Sequence, residues 1–370
     1  MANYIFCGGG TGGHLYPGLA VAEELGRQQP DAQVVFACSD RSVDETILGP
    51  TPFSYLAQPT RPFRKNPLMW PGFLLAWNKS IRQARAMLDE VQPKAVLGLG
   101  GFAGAAVAIQ AAKRGIPTAL LNPDGVPGKA NLYLAEKVDR IFTQFEQTRN
   151  CFSASLRSKV RTVGCPIRAG ILDADRLEAL EYYQLRPDRK TILVFGGSAL
   201  AVSIVETMAQ FREELGIRSE HWQILIAVRG DRNMEVQRMF NGCGIHAKVV
   251  PYFDRMDLAY AAGDLAVVRG GACTIAELAA LGIPAVIFPY PHHADRQQFI
   301  NAAPLVEAGQ AIVIEDTSSG VLNAKAMRAE VSEILDQPEW LAAMTKHPSR
   351  QEALAAAHDV AQWLRTGGEE

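Results

Sequence analysis

The chain has 370 residues, of which 48% are hydrophobic and 21% are charged, and its formal net charge is -2 at pH 7. A chain of this length is long enough for two domains of ordinary size, and the composition is typical of a soluble globular protein. A net charge so close to zero argues against a general nucleic-acid binder. We therefore expect no nucleic acid among the partners, although a local basic patch is compatible with this charge.

The cysteines and the N-terminal residues bear on localisation. The six cysteines are scattered and form no CxxC pair, which favours reduced thiols in a cytoplasmic protein. No basic segment followed by an apolar run is visible at the N-terminus, and no uninterrupted apolar run is long enough to cross a bilayer. We therefore expect any membrane contact to be peripheral.

Strands and helices are predicted to alternate along the whole chain, which favours the α/β class with parallel sheets. The two halves have the same plan, and each has its own glycine-rich segments. Two such domains facing each other would give a cleft for two substrates.

A glycine-rich segment follows the first predicted strand. Residues 4–7 are an apolar run, residues 8–13 contain five glycines, and a helical pattern comes next. This order allows a phosphate to approach the backbone N–H groups at the start of a helix. Thr11, Gly12 and Gly13 are the candidate donors. The segment lacks the Lys-Ser/Thr of a P-loop and is not a complete Rossmann fingerprint.

His14 lies at the start of the helix that follows this segment. A histidine there could take a proton from an acceptor hydroxyl, as a general base. It could equally be a hydrogen-bonding residue that only orients the loop, because the positive potential at a helix start weakens a base. Both roles stay open.

Residues 61–87 contain no acidic residue. Bulky apolar and basic side chains are mixed in this stretch, and the pattern is carried by Arg61, Phe63, Arg64, Lys65, Leu68, Met69, Trp70, Phe73, Leu74, Leu75, Trp77, Lys79, Arg82 and Arg85. Such a mixture suits an anionic lipid surface. The alternative interpretation is a core helix with a solvated basic flank.

A second glycine pair, Gly270 and Gly271, lies in a predicted βαβ unit. Its parts are an apolar run at residues 265–268, a helical segment at 274–281, a second apolar run at 285–288, and a polar loop that ends in Asp295, Arg296, Gln297 and Gln298. The free N–H groups at the helix start suit a pyrophosphate, and the carboxylate of Glu277 suits a ribose diol. The alternative is a tight turn beside a solvated glutamate. The offsets of Glu277 and the two glutamines favour the ligand site.

Two segments resemble glycosyltransferase family 28, and within it the MurG family. They are GGGTGGHLYPGLAVAEEL, residues 8–25, and residues 269–298. The resemblance covers nearly the whole chain. It implies the GT-B fold, in which two Rossmann-like, doubly wound, parallel-sheet domains face each other across a cleft.

The resemblance also implies an activity and its partners. Members transfer N-acetylglucosamine from UDP-N-acetylglucosamine to the C4 hydroxyl of lipid I (undecaprenyl-pyrophosphoryl-MurNAc-pentapeptide), with inversion, and so act in peptidoglycan synthesis. It implies a peripheral protein on the cytoplasmic face of the cell membrane, an anionic surface. No metal or other cofactor is expected, since fixed donors can meet the diphosphate and no carboxylate cluster of metal-ligand type stands out.

The resemblance assigns roles to the two halves. Residues 1–164 are expected to be the acceptor and membrane-facing domain, and residues 165–350 the donor domain. A final helix, at about residues 351–365, is expected to pack back on the first domain. A second glycine segment, residues 100–102, is expected to contact the acceptor.

Individual site residues follow from the same resemblance. The donor-binding residues are expected to be Thr11, Gly12, Gly13, Asp124, Arg168, Ser198, Phe253, Ala272, Cys273, Thr274, Ile275, Ala276, Glu277, Gln297 and Gln298. For Phe253 the expected contact is from backbone groups to uracil. Arg168 and Ser198 would meet phosphate charge. His14 and Asp124 are the catalytic candidates.

The chain departs from the family pattern in three places. Leu121-Asn122-Pro123-Asp124 stands where the family usually has His-Glu-Gln-Asn, and Asp124 could be a substitute carboxylate. Ala199-Leu200-Ala201 replaces Gln-Gly-Ala, and Gly271 replaces the usual serine. Three alternatives therefore stay open: a GT-B transferase with another acceptor, a UDP-N-acetylglucosamine 2-epimerase, and a non-catalytic nucleotide-sugar binder.

Overall fold

The computed structural model describes residues 2–61, 70–196, 202–228, 230, 232–346 and 348–368. The chain forms two compact units. Unit 1 comprises Met1–Arg168 and Leu354–Glu370, and unit 2 comprises Ala169–Ala353. Residues 62–69 of the basic stretch and Ser198 lie outside the described residues, so their predicted roles stay predictions.

Unit 1 is built on a parallel sheet. Within the described residues its strands are β1 (Ala2–Gly8), β2 (Ala32–Ser39), β3 (Ser54–Gln58), β4 (Ala95–Gly100), β5 (Thr118–Asn122), β6 (Arg140–Thr143) and β7 (Val160–Thr162). They lie in the order β3-β2-β1-β4-β5-β6-β7, and every pair is parallel. The helices between them are α1 (Gly12–Gln28), α2 (Ser42–Leu48), α3 (Trp70–Val91), α4 (Gly101–Lys113) and α5 (Lys129–Ala135).

Unit 2 repeats this plan. Its described strands are β8 (Lys190–Phe195), β9 (Trp222–Ala227), β10 (Ala247–Val250), β11 (Leu265–Val268), β12 (Ala285–Ile287) and β13 (Ala311–Val313). Their order is β10-β9-β8-β11-β12-β13, again all parallel. The helices are α6 (Arg176–Tyr182), α7 (Val202–Gln210), α8 (Arg212–Ile217), α9 (Asn233–Gly242), α10 (Met256–Ala262), α11 (Ala272–Leu281), α12 (Gln297–Glu307), α13 (Gly320–Asp336) and α14 (Pro338–Met344).

The last helix, α15 (Arg350–Thr366), packs on unit 1. Val360, Trp363 and Leu364 are buried among core residues of β1, β2 and β4. The Trp363 ring meets the Phe142 ring edge-on, with ring centres 5.9 Å apart. The last segment of the chain is therefore part of the core of unit 1.

The predicted α/β class with two parallel sheets is confirmed. All six residues of β4 and all six of β9 are buried, as expected of strands covered by helices on both faces. In each sheet the order of the strands reverses at a switch point, which lies between β1 and β4 in unit 1 and between β8 and β11 in unit 2. Ligands of open α/β sheets bind outside the carboxyl ends of the strands at such points. Residues 8–13 and residues 270–271 follow β1 and β11 there.

Several predicted boundaries were wrong. Gln297 and Gln298 do not lie in a loop but form the first turn of α12. Arg296 adopts a left-handed backbone conformation, with φ of 51°, and the Asp295 carboxylate accepts from the Gln297 N–H, so the chain turns directly into the helix. The helix predicted over residues 274–281 begins at Ala272, two residues earlier.

No helix in the described part of the chain combines the length and the apolar character that a membrane span requires.

Candidate active site

The N-terminus of α11 is the candidate anion site in unit 2. Gly271 is its N-cap residue and has no side chain with which to cap the helix start. An uncapped helix start presents backbone N–H groups and the positive end of the helix dipole. The fold places this start at the switch point of the sheet, where a diphosphate can bind.

The two glycines before α11 have different functions. A Cβ atom on Gly270 would lie 2.4 Å from the Gln298 carbonyl oxygen, so this glycine is required for the close approach of α12. A Cβ atom on Gly271 would have no neighbour closer than 3.8 Å. The backbone at Gly271 is therefore sterically open to a ligand, whereas Gly270 serves the packing of α12.

One face of α11 is directed away from the core. Ala272 and Ile275 are buried in unit 2, whereas Cys273, Thr274 and Ala276 are half-buried. Of the two buried residues, Ala272 therefore offers a ligand only its backbone N–H, and the Ile275 N–H already donates to the Gly271 carbonyl oxygen at 2.9 Å. Thr274 adds a hydroxyl near the helix start.

Glu277 lies one turn further along α11. It is 8% exposed, and its Oε2 atom accepts a hydrogen bond of 2.7 Å from the Tyr260 hydroxyl. The phenol fixes the direction of the carboxylate. This arrangement differs from the solvated helix glutamate that was the alternative interpretation.

Gln298 connects α12 to the glycine segment. Its Oε1 atom accepts from the N–H of Gly270 at 3.2 Å and from the N–H of Tyr290 at 2.8 Å. Since two N–H donors meet one side-chain oxygen, the orientation of the amide is fixed and its NH₂ group is the part that can donate to a ligand. Asn301 donates to the Gly270 carbonyl at 3.0 Å from the same helix.

Two further predicted donor-binding residues, Phe253 and Arg168, lie outside α11. The Phe253 side chain is 5% exposed and packs edge-on against Tyr183 and Phe195 in the core of unit 2. Only the backbone of Phe253 is therefore available to a uracil ring. The Arg168 guanidinium lies in unit 1, 4.5 Å from the centre of the Tyr16 ring on α1.

In unit 1, a buried carboxylate holds the first glycine segment. Asp44 is fully buried on α2 and accepts from the Gly10 N–H at 2.7 Å and from the N–H and hydroxyl of Ser39, both at 2.7 Å. A Cβ atom on Gly9 would lie 2.2 Å from the same carboxylate. The Gly10 N–H is thus used internally, and the ligand donors of this segment have to come from Thr11, Gly12 and Gly13 at the start of α1.

His14 lies against the turn from β4 into α4. Its Nδ1 atom is 3.0 Å from the Gly9 carbonyl oxygen and 3.3 Å from the Thr11 hydroxyl, and a Cβ atom on Gly101 would lie 3.4 Å from the ring and 3.0 Å from the Gly9 carbonyl oxygen. A carbonyl can only accept, so Nδ1 carries the proton and Nε2 has the lone pair. The ring is half-buried, with Nε2 in the form that can accept a proton.

Asp124 lies in a polar chain near His14. The Asn131 side chain borders Gly100, 3.1 Å from the position of its absent Cβ, and donates to Asn122 at 2.8 Å. Asn122 donates in turn to the Asp124 carbonyl oxygen at 2.7 Å. The structure therefore brings His14, the Gly100–Gly101 turn and the Asp124 segment to the same edge of the unit 1 sheet.

Sequence reasoning missed Asp44 and the partners of Arg269. Asp44 contacts residues more than 30 positions away, and nothing in its local pattern distinguishes it from a solvated helix residue. Arg269 forms a buried ion pair of 2.6 Å with Asp316, also distant in sequence. The sequence signal that could have identified Arg269 is a basic residue directly after a buried strand.

Comparison with known proteins agrees with these features. The glycosyltransferase family 28 N-terminal domain model matches residues 4–143, and the C-terminal domain model matches residues 191–360. The UDP-N-acetylglucosamine–N-acetylmuramyl-(pentapeptide) pyrophosphoryl-undecaprenol N-acetylglucosamine transferase of Halothermothrix orenii is 35% identical over 355 residues, 94% of both chains. The protein of the same name from Desulforamulus reducens is 32% identical over 364 residues, 96% of both chains.

Solved structures agree with the fold. The structure of MurG from Acinetobacter baumannii has a TM-score of 0.69 at 21% identity, with 99% of this chain and 100% of that chain covered. A UDP-GlcNAc 2-epimerase from Neisseria meningitidis has a TM-score of 0.67 at 15% identity, with the same coverage. At these identities the likeness concerns the fold alone. The family models and the full-length relatives decide the family: the chain belongs to glycosyltransferase family 28 and has its two-domain GT-B fold.

Proposed function

We propose that this glycosyltransferase moves N-acetylglucosamine from UDP-N-acetylglucosamine to the MurNAc C4 hydroxyl of lipid I, forming lipid II and UDP in peptidoglycan synthesis. The observation that carries the donor assignment is the start of α11 at the switch point, with the sterically open Gly271 as its N-cap and the oriented Glu277 carboxylate one turn further on. The acceptor assignment is supported by the names of full-length relatives that are 28–35% identical.

Unit 2 meets the donor in this proposal. As the bond from sugar to diphosphate breaks, negative charge grows on the departing UDP. The backbone N–H groups at Ala272, Cys273 and Thr274 stabilise that charge without reorganisation, and one such donor is worth about 10²–10³ in rate. Glu277 accepts from the ribose hydroxyls, and the Gln298 NH₂ group, together with Gln297, donates to the sugar.

Unit 1 meets the acceptor in this proposal. His14 Nε2 takes the proton of the attacking hydroxyl, a role worth about 10²–10⁴ in rate. The Nδ1–H bond to Gly9 fixes the ring and its tautomer. The N–H groups of Thr11, Gly12 and Gly13 and the positive charge of Arg168 also meet the departing diphosphate, and Asp124 borders the acceptor. These residues are assigned by the resemblance and by their position at one sheet edge.

Unit 1 also docks on an anionic membrane surface, at the cytoplasmic face, in this proposal. Leu74 and Leu75 on α3 are 54% and 72% exposed, and Lys79 and Arg82 are exposed on the same side of the helix. Bulky apolar side chains beside cations suit the boundary between headgroups and acyl chains. A peripheral site of this type would place the enzyme beside its lipid acceptor.

The test is release of UDP from UDP-N-acetylglucosamine with and without a soluble lipid I analogue. The proposal expects UDP release that depends on the acceptor, and a disaccharide product. Sugar conversion without an acceptor would indicate the epimerase, and binding without turnover would indicate a nucleotide-sugar binder. UDP release with another glycan acceptor, but not with the lipid I analogue, would indicate a transferase of different acceptor specificity.

A further inference from the structure

Arg269 is a buried cation directly before the donor glycine pair. It is 8% exposed, and its guanidinium donates from Nη1 to the carbonyl oxygens of Phe288 and Pro289 at 2.8 and 3.2 Å. The same nitrogen is 2.6 Å from Asp316 Oδ2, and Nη2 donates to the Ser203 hydroxyl at 2.8 Å. One side chain at the end of β11 thus holds three other segments.

Asp316 completes the network from the segment between β13 and α13. Its side chain is fully buried and accepts from the Ser203 hydroxyl at 2.6 Å, from Asn323 at 2.7 Å and from the Ser318 N–H at 2.8 Å. Burial opposes ionisation of this carboxyl, but the hydrogen bonds from Ser203, Asn323, Ser318 and Arg269 outweigh it and hold its pKa below the usual range. The pair is therefore ionised and saturated with partners.

The segments that this network joins all lie at the carboxyl edge of the unit 2 sheet. They are the end of β11, the chain after β12, the first turn of α7 and the chain after β13. Gln298 connects two of the same segments, through the N–H groups of Gly270 and Tyr290. Arg269 and Gln298 therefore brace the glycine pair and the residue 288–290 segment from two directions.

The chemistry of a buried ion pair indicates what this network is for. Desolvation of two charges largely offsets their attraction, so such a pair adds little net stability compared with apolar packing. Its hydrogen bonds are directional, however, and a planar guanidinium with several acceptors fixes the relative position of the segments it joins. The ion pair therefore serves to fix the positions of these segments rather than to add stability.

We propose that Arg269 and Asp316 form a positioning unit for the donor site, which sets the α11 start and the residue 288–290 segment at the separation that UDP-N-acetylglucosamine requires. Neither side chain touches the donor; they act through Gly270, Ser203 and the carbonyl groups of Phe288 and Pro289. This inference rests on the proposed function in naming the donor.

The test compares Arg269→Lys and Asp316→Asn with Arg176→Lys. Arg176 is a matched control in the same unit, because it pairs with Asp264 at 2.8 Å and donates to the Ala261 and Ala262 carbonyls. Asp264 directly precedes β11, so this ion pair braces the amino edge of the sheet, away from the donor. UDP affinity is measured by calorimetry, and kcat and KM are measured for the folded fraction of each variant.

Displacement of reacting groups by about 1 Å can cost about 10²-fold in rate. We expect Arg269→Lys and Asp316→Asn each to weaken UDP binding and to lower kcat/KM for the donor by roughly 10–100-fold, as loss of an orienting partner does elsewhere. The KM for the acceptor and all constants of Arg176→Lys stay at wild-type values. The double variant is no worse than either single one, because both changes remove the same unit.

Two results would overturn the inference. If Arg269→Lys kept the wild-type UDP affinity, kcat and KM, a positive charge at this position would be enough, and the proposed geometric role would be wrong. If both variants bound UDP and turned over like wild type per folded molecule, with only their melting temperatures lowered, the pair would be structural. Failure of the proposed function is distinct, since it appears as a lack of acceptor-dependent UDP release in the wild-type protein.

Discussion

At the scale of single residues, the hydrogen bonds of His14 fit both roles that the sequence left open. Nδ1 donates to the Gly9 carbonyl, so the residue does orient the loop. The same bond directs the lone pair to Nε2, which is the form a general base needs. Orientation of the loop and proton transfer are therefore compatible in one side chain.

His14→Ala should lower kcat for transfer by about 10²–10⁴-fold, because the attacking hydroxyl loses its proton acceptor. UDP affinity should be unchanged, since His14 is not among the residues assigned to donor binding. The control is His358→Ala, another histidine of unit 1, whose Nδ1 lies 3.2 Å from Glu24 on α1. Steady-state kinetics with a lipid I analogue measure both. Near-normal turnover by His14→Ala would exclude the base role.

Residue patterns singled out His14 and Glu277, which stand a few residues after a glycine segment, and also Gln298, which they placed in a loop rather than in α12. They did not predict Asp44 or Asp316, whose functions depend on partners brought near by the fold. They also gave Gly270 a ligand role, whereas the nearby carbonyl of Gln298 shows a packing role. Local sequence spacing therefore identifies candidate ligand-binding residues better than it identifies the residues that hold them in position.

At the scale of elements, the contact between α12 and the glycine segment sets the donor edge. Gly270→Ala would place a Cβ atom 2.4 Å from the Gln298 carbonyl oxygen, and neither backbone can move without shifting α12. We expect a loss of about 1–3 kcal/mol in the free energy of unfolding, typical of overpacking. Urea denaturation measures it.

The matched control for this prediction is Gly271→Ser. No atom lies within 3.8 Å of the position of its Cβ, and its φ of -70° is accessible to any residue. Serine is also a favourable N-cap residue, so this variant should be as stable as wild type or slightly more stable. Equal losses in both variants would contradict the packing role of Gly270.

Most elements could be predicted because buried parallel strands are continuous apolar runs and the helices are amphipathic. Three strands are harder to predict. β3 is an exposed edge strand, while β6 and β7 are only four and three residues long, so none has a strong local pattern. The start of α12 was missed because its first turn, Gln297 and Gln298, is polar.

At the scale of the whole molecule, α3 is proposed to hold unit 1 at the membrane. Leu75→Glu should reduce binding to vesicles that contain anionic phosphatidylglycerol, because it removes apolar contact and adds a repelled charge. Leu177→Glu is the control, since Leu177 on α6 of unit 2 is 71% exposed, nearly as much as Leu75. Vesicle sedimentation measures binding.

Binding of the wild-type protein should weaken as salt rises, because the Debye length falls from about 10 Å at 0.1 M to about 3 Å at 1 M. The docking proposal is wrong if the wild-type protein stays in solution at every salt concentration. It is also wrong if Leu177→Glu reduces binding as much as Leu75→Glu does.

The two-unit plan was predictable from the sequence because each half repeats the order of strand, glycine segment and helix. Both sheets then place their glycine segments at a switch point, by the same topological rule. The internal networks of each unit could not be read from the chain, since they join residues that are dozens of positions apart.

The most direct test of the central claim is a crystal structure of the protein with UDP. The account predicts the diphosphate within hydrogen-bond distance of the N–H groups of Ala272, Cys273 and Thr274, with the ribose hydroxyls at Glu277. A diphosphate bound elsewhere, with the first turn of α11 still free of it, would contradict the donor site described above.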